Sequence, residues 1–442
     1  MQIDQFIDKL EAECRRQGLE EFEIRYGESS GGDIDVFKQE VDRQQERSSR
    51  SLTLSVRING KIGRYHTEEM SEDKIGEIVS EAAANARLIE TEETFFFFDG
   101  KAEYPQVKPY QPDWNALEKL DKVQYLKDLE RLAYAYDPRV DNVIKCHYGY
   151  SRSQSFIRNS LGLNLQHEDG YATAYIYLGA KNGEISKTDS EGVYFARPED
   201  FKPETIINKV MPRLIARLNI CEVENQKTRV IFDRQAMASF LGRISSYFSI
   251  YNIDTGRSKY KEKLGQAVAS PLVTIWDDPW LENGLETRSF DNEGVPTRRK
   301  KLVENGILKE FAYNLAFADK YKTQSTGNGS GGLGVRFFNL YIPNGKGTKE
   351  DLFAKLGDGI YIDSLTGLKV GVQQASGDFS VAADGFLLKN GKIACGLNQF
   401  TISGNLYDLL FDIEDLAADI DWAEGSVLAP SAIVKNITVA GN

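Results

Sequence analysis

Three histidines, His66, His147 and His167, supply every imidazole in the 442 residues, and none follows His167. A helical zinc site needs paired imidazoles three to five residues apart, and a serine nucleophile needs an imidazole to take its proton. None of the three has such a partner, so each reads as an ordinary strand residue. The second half of the chain cannot by itself build a histidine-based metal or nucleophile site. No GxSxG elbow is present either. Carboxylates remain, among them Asp277-Asp278, Asp291, Asp363, Asp378 and Asp384. Asp-Asp and Asp-Gly in strand-rich chains usually mark turns, yet an acid/base pair drawn from Asp291 and Asp378 stays open as a chemistry.

The glycine-rich run Ser325–Gly334 lacks the Lys of a phosphate loop, and Val335–Tyr341 after it reads as a strand rather than a helix. A flexible loop that closes over an extended ligand is the expectation. The four cysteines, Cys14, Cys146, Cys221 and Cys395, are scattered without a CxxC, which predicts reduced, mostly buried thiols of a cytosolic protein.

The net charge of -12 argues against a nucleic-acid partner. The densest basic cluster, Arg298–Lys301, lies beside Asp291, Glu293 and Glu304 and reads as a solvated strand end. The N-terminus lacks the apolar core of a signal peptide, and no stretch approaches the ~20 apolar residues of a membrane span. The expected location is the cytoplasm.

The elements that must position these residues follow from periodicity. Ile3, Phe6, Ile7 and Leu10 define a helix ending near Gly18; strands follow at Glu21–Gly27, Asp33–Lys38, Ser51–Ile58 and Lys61–His66, then a helix at Glu72–Leu88. Asn59-Gly60 is a hairpin signal, since both residues tolerate positive φ. The order then recurs: helix Lys119–Tyr136, strands Val140–Tyr150, Arg152–Asn159, Leu163–Leu178 and Glu184–Phe195, helix Pro203–Leu218, with Asn182-Gly183 in the hairpin's place. Between them Thr91–Asp113, with Phe95–Phe98 and three prolines, reads as an extended linker pinned onto a sheet. Beyond a helix at Arg234–Phe248 come short strands and glycine turns. The fold class is α+β: duplicated helix–four-strand–helix lobes at 1–110 and 111–225, then a β-rich, barrel-like domain at 226–442.

Seven segments in the last part of the chain form an ordered set: Ser289–Thr297, Leu302–Lys309, Ser325–Gly329, Ser376–Ser380, Gly385–Ile393, Thr401–Leu406 and Val434–Gly441. In order and spacing they resemble the TldD/PmbA family, once labelled modulators of DNA gyrase. The resemblance implies metallopeptidase ancestry. In the TldD branch a helix bears HExxxH and a late cysteine completes a zinc site, with the Glu activating water. The PmbA branch, also called TldE, pairs with TldD around a lumen in which peptides or unfolded proteins are cleaved.

By this resemblance the metal-motif helix is Arg234–Phe248, and its window reads Leu241-Gly242-Arg243-Ile244-Ser245-Ser246, without imidazole or carboxylate. Asp421–Gly425 offers no cysteine, and Cys395 comes too early. The chain therefore resembles the PmbA/TldE branch. The resemblance implies no catalytic residue and no cofactor in this chain, zinc in a TldD-like partner, a heterodimer with that partner or a homodimer when alone, and a peptide or unfolded-protein substrate. Asn328, Gly329, Asn339, Asp378 and Asn405 are the candidate substrate contacts. Two alternatives stand beside this: a peptidase using the carboxylate pair, and a peptide- or toxin-binding adaptor without catalysis.

Overall fold

The structure, a computed structural model, describes residues 3–90 and 95–441. Its first half is one continuous antiparallel sheet built from β1 (Glu21–Phe37), β2 (Glu40–Ile58), β3 (Lys61–Thr67), β4 (Val140–Asn159), β5 (Asn164–Asn182) and β6 (Ile185–Phe195). Their order is β3-β2-β1-β4-β5-β6, so two three-stranded meanders join edge to edge through the β1–β4 pair. The sequence suggested four short strands in each half. Three long ones form instead, because β1 and β4 run unbroken through Gly27–Asp33 and Tyr150–Arg152.

The β1–β2 turn explains why the first break was misplaced. Lys38 and Gln39 adopt φ of 52° and 61° without being glycine. Their backbone N–H groups donate to the two carboxylate oxygens of Glu130, at 2.7 and 2.6 Å, and Glu130 is fully buried. A side chain 91 residues away stabilises a turn that local chemistry would not favour. Asn59-Gly60 forms its hairpin as the sequence indicated, with φ of 50° and 80°.

Side chains alternate across a strand, and all helices of the first half cover one face of this sheet. Helices α1 (Ile3–Arg16) and α2 (Ile75–Leu88) pack on Ile24, Tyr26, Leu52 and Leu54. Gly63 lets α2 approach: a Cβ there would sit 2.1 Å from the backbone N of Ala86. The helix foreseen at Lys119–Tyr136 is α4 (Lys122–Tyr136), started by Asp121, which accepts a hydrogen bond from Gln124 N; a short helix that was not foreseen, α3 (Trp114–Lys119), precedes it. With α5 (Pro203–Ala216), α4 packs on Val36, Tyr148, Ala174 and Ile176.

The second half is built round a closed five-stranded barrel. Strands Gln226–Phe232, Ala432–Gly441, Phe400–Asn405, Asp378–Lys389 and Gly359–Thr366 pair in that order, and the last closes on the first. A second, five-stranded sheet contains Ile275–Asp277, Lys300–Glu304 and Leu340–Tyr341. Helix α6 (Arg234–Ile244) caps the barrel with Ala236, Met237, Phe240, Leu241 and Ile244 inward, and continues as a 3-10 turn to Phe248. Only Leu340–Tyr341 of the strand expected at Val335–Tyr341 forms. No helix among the described residues is long and apolar enough to cross a membrane.

Two further expectations change. Cys221 and Cys395 are joined in a disulfide across 174 residues, while Cys14 and Cys146 are buried free thiols. Scattered spacing concealed the pair, since the parallel pairing of Ile220–Cys221 with Lys392–Leu397 brings them together only in the folded sheet. The basic cluster is no solvated strand end throughout: Lys300 points inward and is buried against Asp277. The Asp277-Asp278 dipeptide is likewise no surface turn, since Asp277 ends a strand and both side chains are buried.

Candidate functional groove

The face of the six-stranded sheet that carries no helix is lined by polar side chains. The registers Glu23–Ser55–Arg64, Arg25–Thr53–His66 and Gly27–Ser155–His167 run across it, as does Asp35–His147–Tyr175. All three histidines therefore share this face, although they belong to three strands. The β-rich half docks against it. Arg64 donates to the Gly331 carbonyl at 3.0 Å, Tyr194 N to the Ala423 carbonyl at 3.1 Å, and Arg288 approaches His167 Nε2 at 3.4 Å. An apolar seam of Ile157, Leu163, Phe290, Phe98 and Tyr104 fixes the contact. The linker residues Phe96 and Phe98 lie against the sheet, Phe96 over the Arg57 guanidinium at 5.1 Å. Residues 91–94 at the start of that linker lie outside the described residues.

His147 is the most elaborated of the three. Its Nδ1 is 2.6 Å from Asp35 Oδ1, and Lys145 Nζ lies 3.0 Å from the other Asp35 oxygen. Its Nε2 is 3.8 Å from Asp33 Oδ1, and the Tyr175 ring lies tilted by 31° against the imidazole, with centroids 4.6 Å apart. Cross-strand register, invisible to any local spacing, assembled this group.

Helix α6 borders the same groove. Its outward stripe is Gln235, Ala238, Ser239 and Gly242, whereas Leu241 of the expected metal window faces the core. Ser245 Oγ donates to the Gly242 carbonyl, and Ser246 Oγ donates to the Arg243 carbonyl while accepting from Gln374 Nε2 at 2.7 Å. A cavity of about 180 Å³ separates α6 from residues 421–429. The nearby carboxylates are committed to cations: Glu424 takes a bidentate pair from Arg234, and Asp421 lies 2.6 Å from Lys209 Nζ. Burial works against the Asp421 charge, but Lys209 holds its carboxyl below the usual range. An amide, hydroxyls and a bare glycine do not make a zinc donor set, which needs imidazole, thiolate or carboxylate. Nor do three His, Cys, Asp or Glu side chains converge to hold a metal anywhere among the described residues.

The glycine-rich loop is fastened rather than loose. Asn328 is fully buried; its Nδ2 donates to Asp277 Oδ2 and to the Arg336 carbonyl, both at 2.7 Å. Gly329 N donates to Asp291 Oδ2 at 2.6 Å, and Glu293 N and Val295 N donate to Asp291 Oδ1. Asn339 is buried with φ of 45°, and its amide bonds the Asp278 carbonyl and Thr287. Asp378 and Asn405 face one another on paired barrel strands, 2.8 Å apart. That bond holds the Asp378 carboxyl below its ordinary value. The five candidate contacts thus fall in two places: Asn328 and Gly329 in the loop with Asn339 beneath the same sheet, and Asp378 with Asn405 at the barrel end.

Glu293 stands beside Gly329, where a Cβ would lie 2.2 Å from its Oε2. Burial, then repulsion from Asp291, pushes its carboxyl up to about 8. Burial likewise raises Asp291 to about 6, against three backbone donors.

Two family profiles cover most of the chain. One, described as the PmbA/TldA metallopeptidase C-terminal domain, matches residues 225–441, and the other, described as the central domain, matches 112–218. The chain belongs to the PmbA/TldD metallopeptidase family. Metalloprotease PmbA of Escherichia coli O157:H7 is 24% identical over 458 residues, covering 98% of each chain. A PmbA homologue of Buchnera aphidicola is 29% identical over 71% of this chain and 69% of its own. Among solved structures, a proposed modulator of a DNA gyrase from Thermotoga maritima superposes with a TM-score of 0.91 at 29% identity, covering 99% of this chain and all of the other. TldE from Thermococcus kodakarensis superposes with a TM-score of 0.84 at 25% identity, covering 98% and 99%.

Proposed function

We propose that this PmbA/TldD family member is a TldE-type subunit that presents extended peptides or unfolded segments to a TldD-like partner, which supplies the zinc and the hydrolytic chemistry. The observation that carries this reading is the outward stripe of α6, Gln235, Ala238, Ser239 and Gly242, facing a groove whose nearest carboxylates are neutralised by Arg234 and Lys209. The likeness to TldE supports it. The polar, helix-free sheet face offers hydroxyl, carboxylate and imidazole side chains to an extended chain.

The test is reconstitution. The chain alone, a TldD-like protein alone, and the two together are assayed on an unstructured peptide, with zinc measured on each purified sample. Cleavage that appears or rises only in the mixture, with less than stoichiometric zinc on this chain, supports the proposal. Zinc-dependent cleavage by this chain alone overturns it. The carboxylate-pair alternative draws less support, because Asp291 is tied to its own loop by three backbone donors while Asp378 is tied to Asn405 on the barrel.

A further inference from the structure

Where the polar sheet face approaches α6, β5 and β6 form a slot. The cross-strand pairs Thr173–Tyr194, Tyr175–Gly192 and Tyr177–Ser190 stand side by side there, and all six residues line a cavity of about 430 Å³. Gly192 supplies a floor without a side chain. A Cβ at that position would lie 2.8 Å from the Tyr175 Cβ, so the gap among the tyrosines is built into the backbone. Gln235 of α6, with Ala423 and Glu424, closes the slot from the barrel side, where Tyr194 N donates to the Ala423 carbonyl at 3.1 Å. Gln235 and Glu424 also line the cavity of about 180 Å³ beside α6, so the two spaces adjoin.

The charges at the rim are already matched. Lys145 Nζ lies 3.0 Å from Asp35, Glu424 takes its bidentate pair from Arg234, and Glu191 pairs with Arg213 at 2.8 Å. A charged occupant would give up hydration and find no free counter-charge. Tyrosine rings do attract cations, but Lys145 Nζ already stands 5.9 Å from the Tyr175 ring centroid and would repel a second one. What remains on offer is ring faces and edges round a bare floor. Aromatic pairs gain from offset or edge-to-face contact beyond the area they bury. The volume falls within the range of ligand pockets, roughly 300–1,000 Å³, which leaves room for one ring and the backbone that carries it. We propose that this slot is a subsite of the peptide groove and seats one aromatic side chain of an extended peptide, its ring over Gly192 between Tyr175 and Tyr194. The inference rests on the peptide-presenting role proposed above and adds a side-chain preference to it.

The experiment is a saturation-transfer NMR titration of the full chain, without a partner, using capped Gly/Ser heptapeptides that differ only in the central residue. Phenylalanine at the centre is expected to bind about three- to ten-fold more tightly than leucine, the scale of an aromatic pair beyond its buried area. Lysine, aspartate and glycine should bind more weakly than leucine. Tyr194→Leu, which keeps an apolar wall but removes a ring, should bring the phenylalanine and leucine peptides to similar affinity. Equal affinity for all the peptides overturns the subsite and leaves the presenting role standing. Absence of binding by every peptide overturns the subsite too, and the reconstituted cleavage assay then decides the presenting role separately. An unchanged phenylalanine preference in Tyr194→Leu also counts against the assignment. Should that variant fail to fold by circular dichroism, the peptide series on the unaltered chain decides.

Discussion

Lys300 Nζ lies 2.9 Å from Asp277 Oδ2, and neither side chain reaches solvent. The two residues are partners on adjacent antiparallel strands. Asp277 also accepts from Asn328 Nδ2 at 2.7 Å and from Phe338 N at 2.5 Å, so one carboxylate ties the strand, the glycine-rich loop and the chain beyond it. Removing one member of a buried pair strands the other, at about 3–5 kcal/mol. Lys300→Met should therefore lower unfolding stability by about that amount in urea melts. A loss below about 1 kcal/mol would show that water or a rearranged donor replaces the lysine.

Gly63 sits under α2 with no room for a methyl group. Gly63→Ala is expected to destabilise by about 1–3 kcal/mol, as overpacking does. Protection of the α2 amides against hydrogen exchange should fall before that of the barrel. An unchanged exchange pattern would mean the helix can slide on the sheet.

The Glu293 carboxyl provides a pH test with a defined sign. Its folded pKa is raised from 4.5 to about 8, so the folded state holds a proton that the unfolded chain has released. Its contribution is present in full below about 4.5 and lost as pH climbs through about 8. Relative to the unaltered chain, Glu293→Gln should gain stability between pH 6 and pH 9 in denaturant melts. Parallel curves for the two proteins across that range would refute the assignment.

The Cys221–Cys395 disulfide closes a loop of 174 residues. Non-reducing peptide mapping should recover the cross-linked pair, and reduction or Cys221→Ser should cost about 2–4 kcal/mol. Recovery of both cysteines as free thiols from protein purified without reductant would count against the bond.

Much of the fold was legible because local chemistry is strong where it was read. Amphipathic periodicity located α1, α2, α5 and α6, and Asn59-Gly60 marked a true hairpin. The Lys38-Gln39 turn was not legible, since its positive φ values depend on Glu130 from another helix. Nor was the inward course of Lys300, which looked like one charge in a solvated cluster until Asp277 was placed opposite. Nor was the division of the Arg234–Ile244 helix into faces: Leu241 belongs to the core, and the groove sees Gln235, Ser239 and Gly242.

By itself the sequence determined which chemistries lack their reagents: no histidine follows His167, and Leu241–Ser246 carries neither imidazole nor carboxylate. These are statements about composition at positions, and folding cannot add an atom that is not encoded. Tertiary structure alone decided what the remaining groups do. Strand register put His66, His147 and His167 on one face and brought Asp35 to His147. Such partners lie far apart along the chain, and the burial that gives their charges meaning exists only once the sheet and the barrel have met.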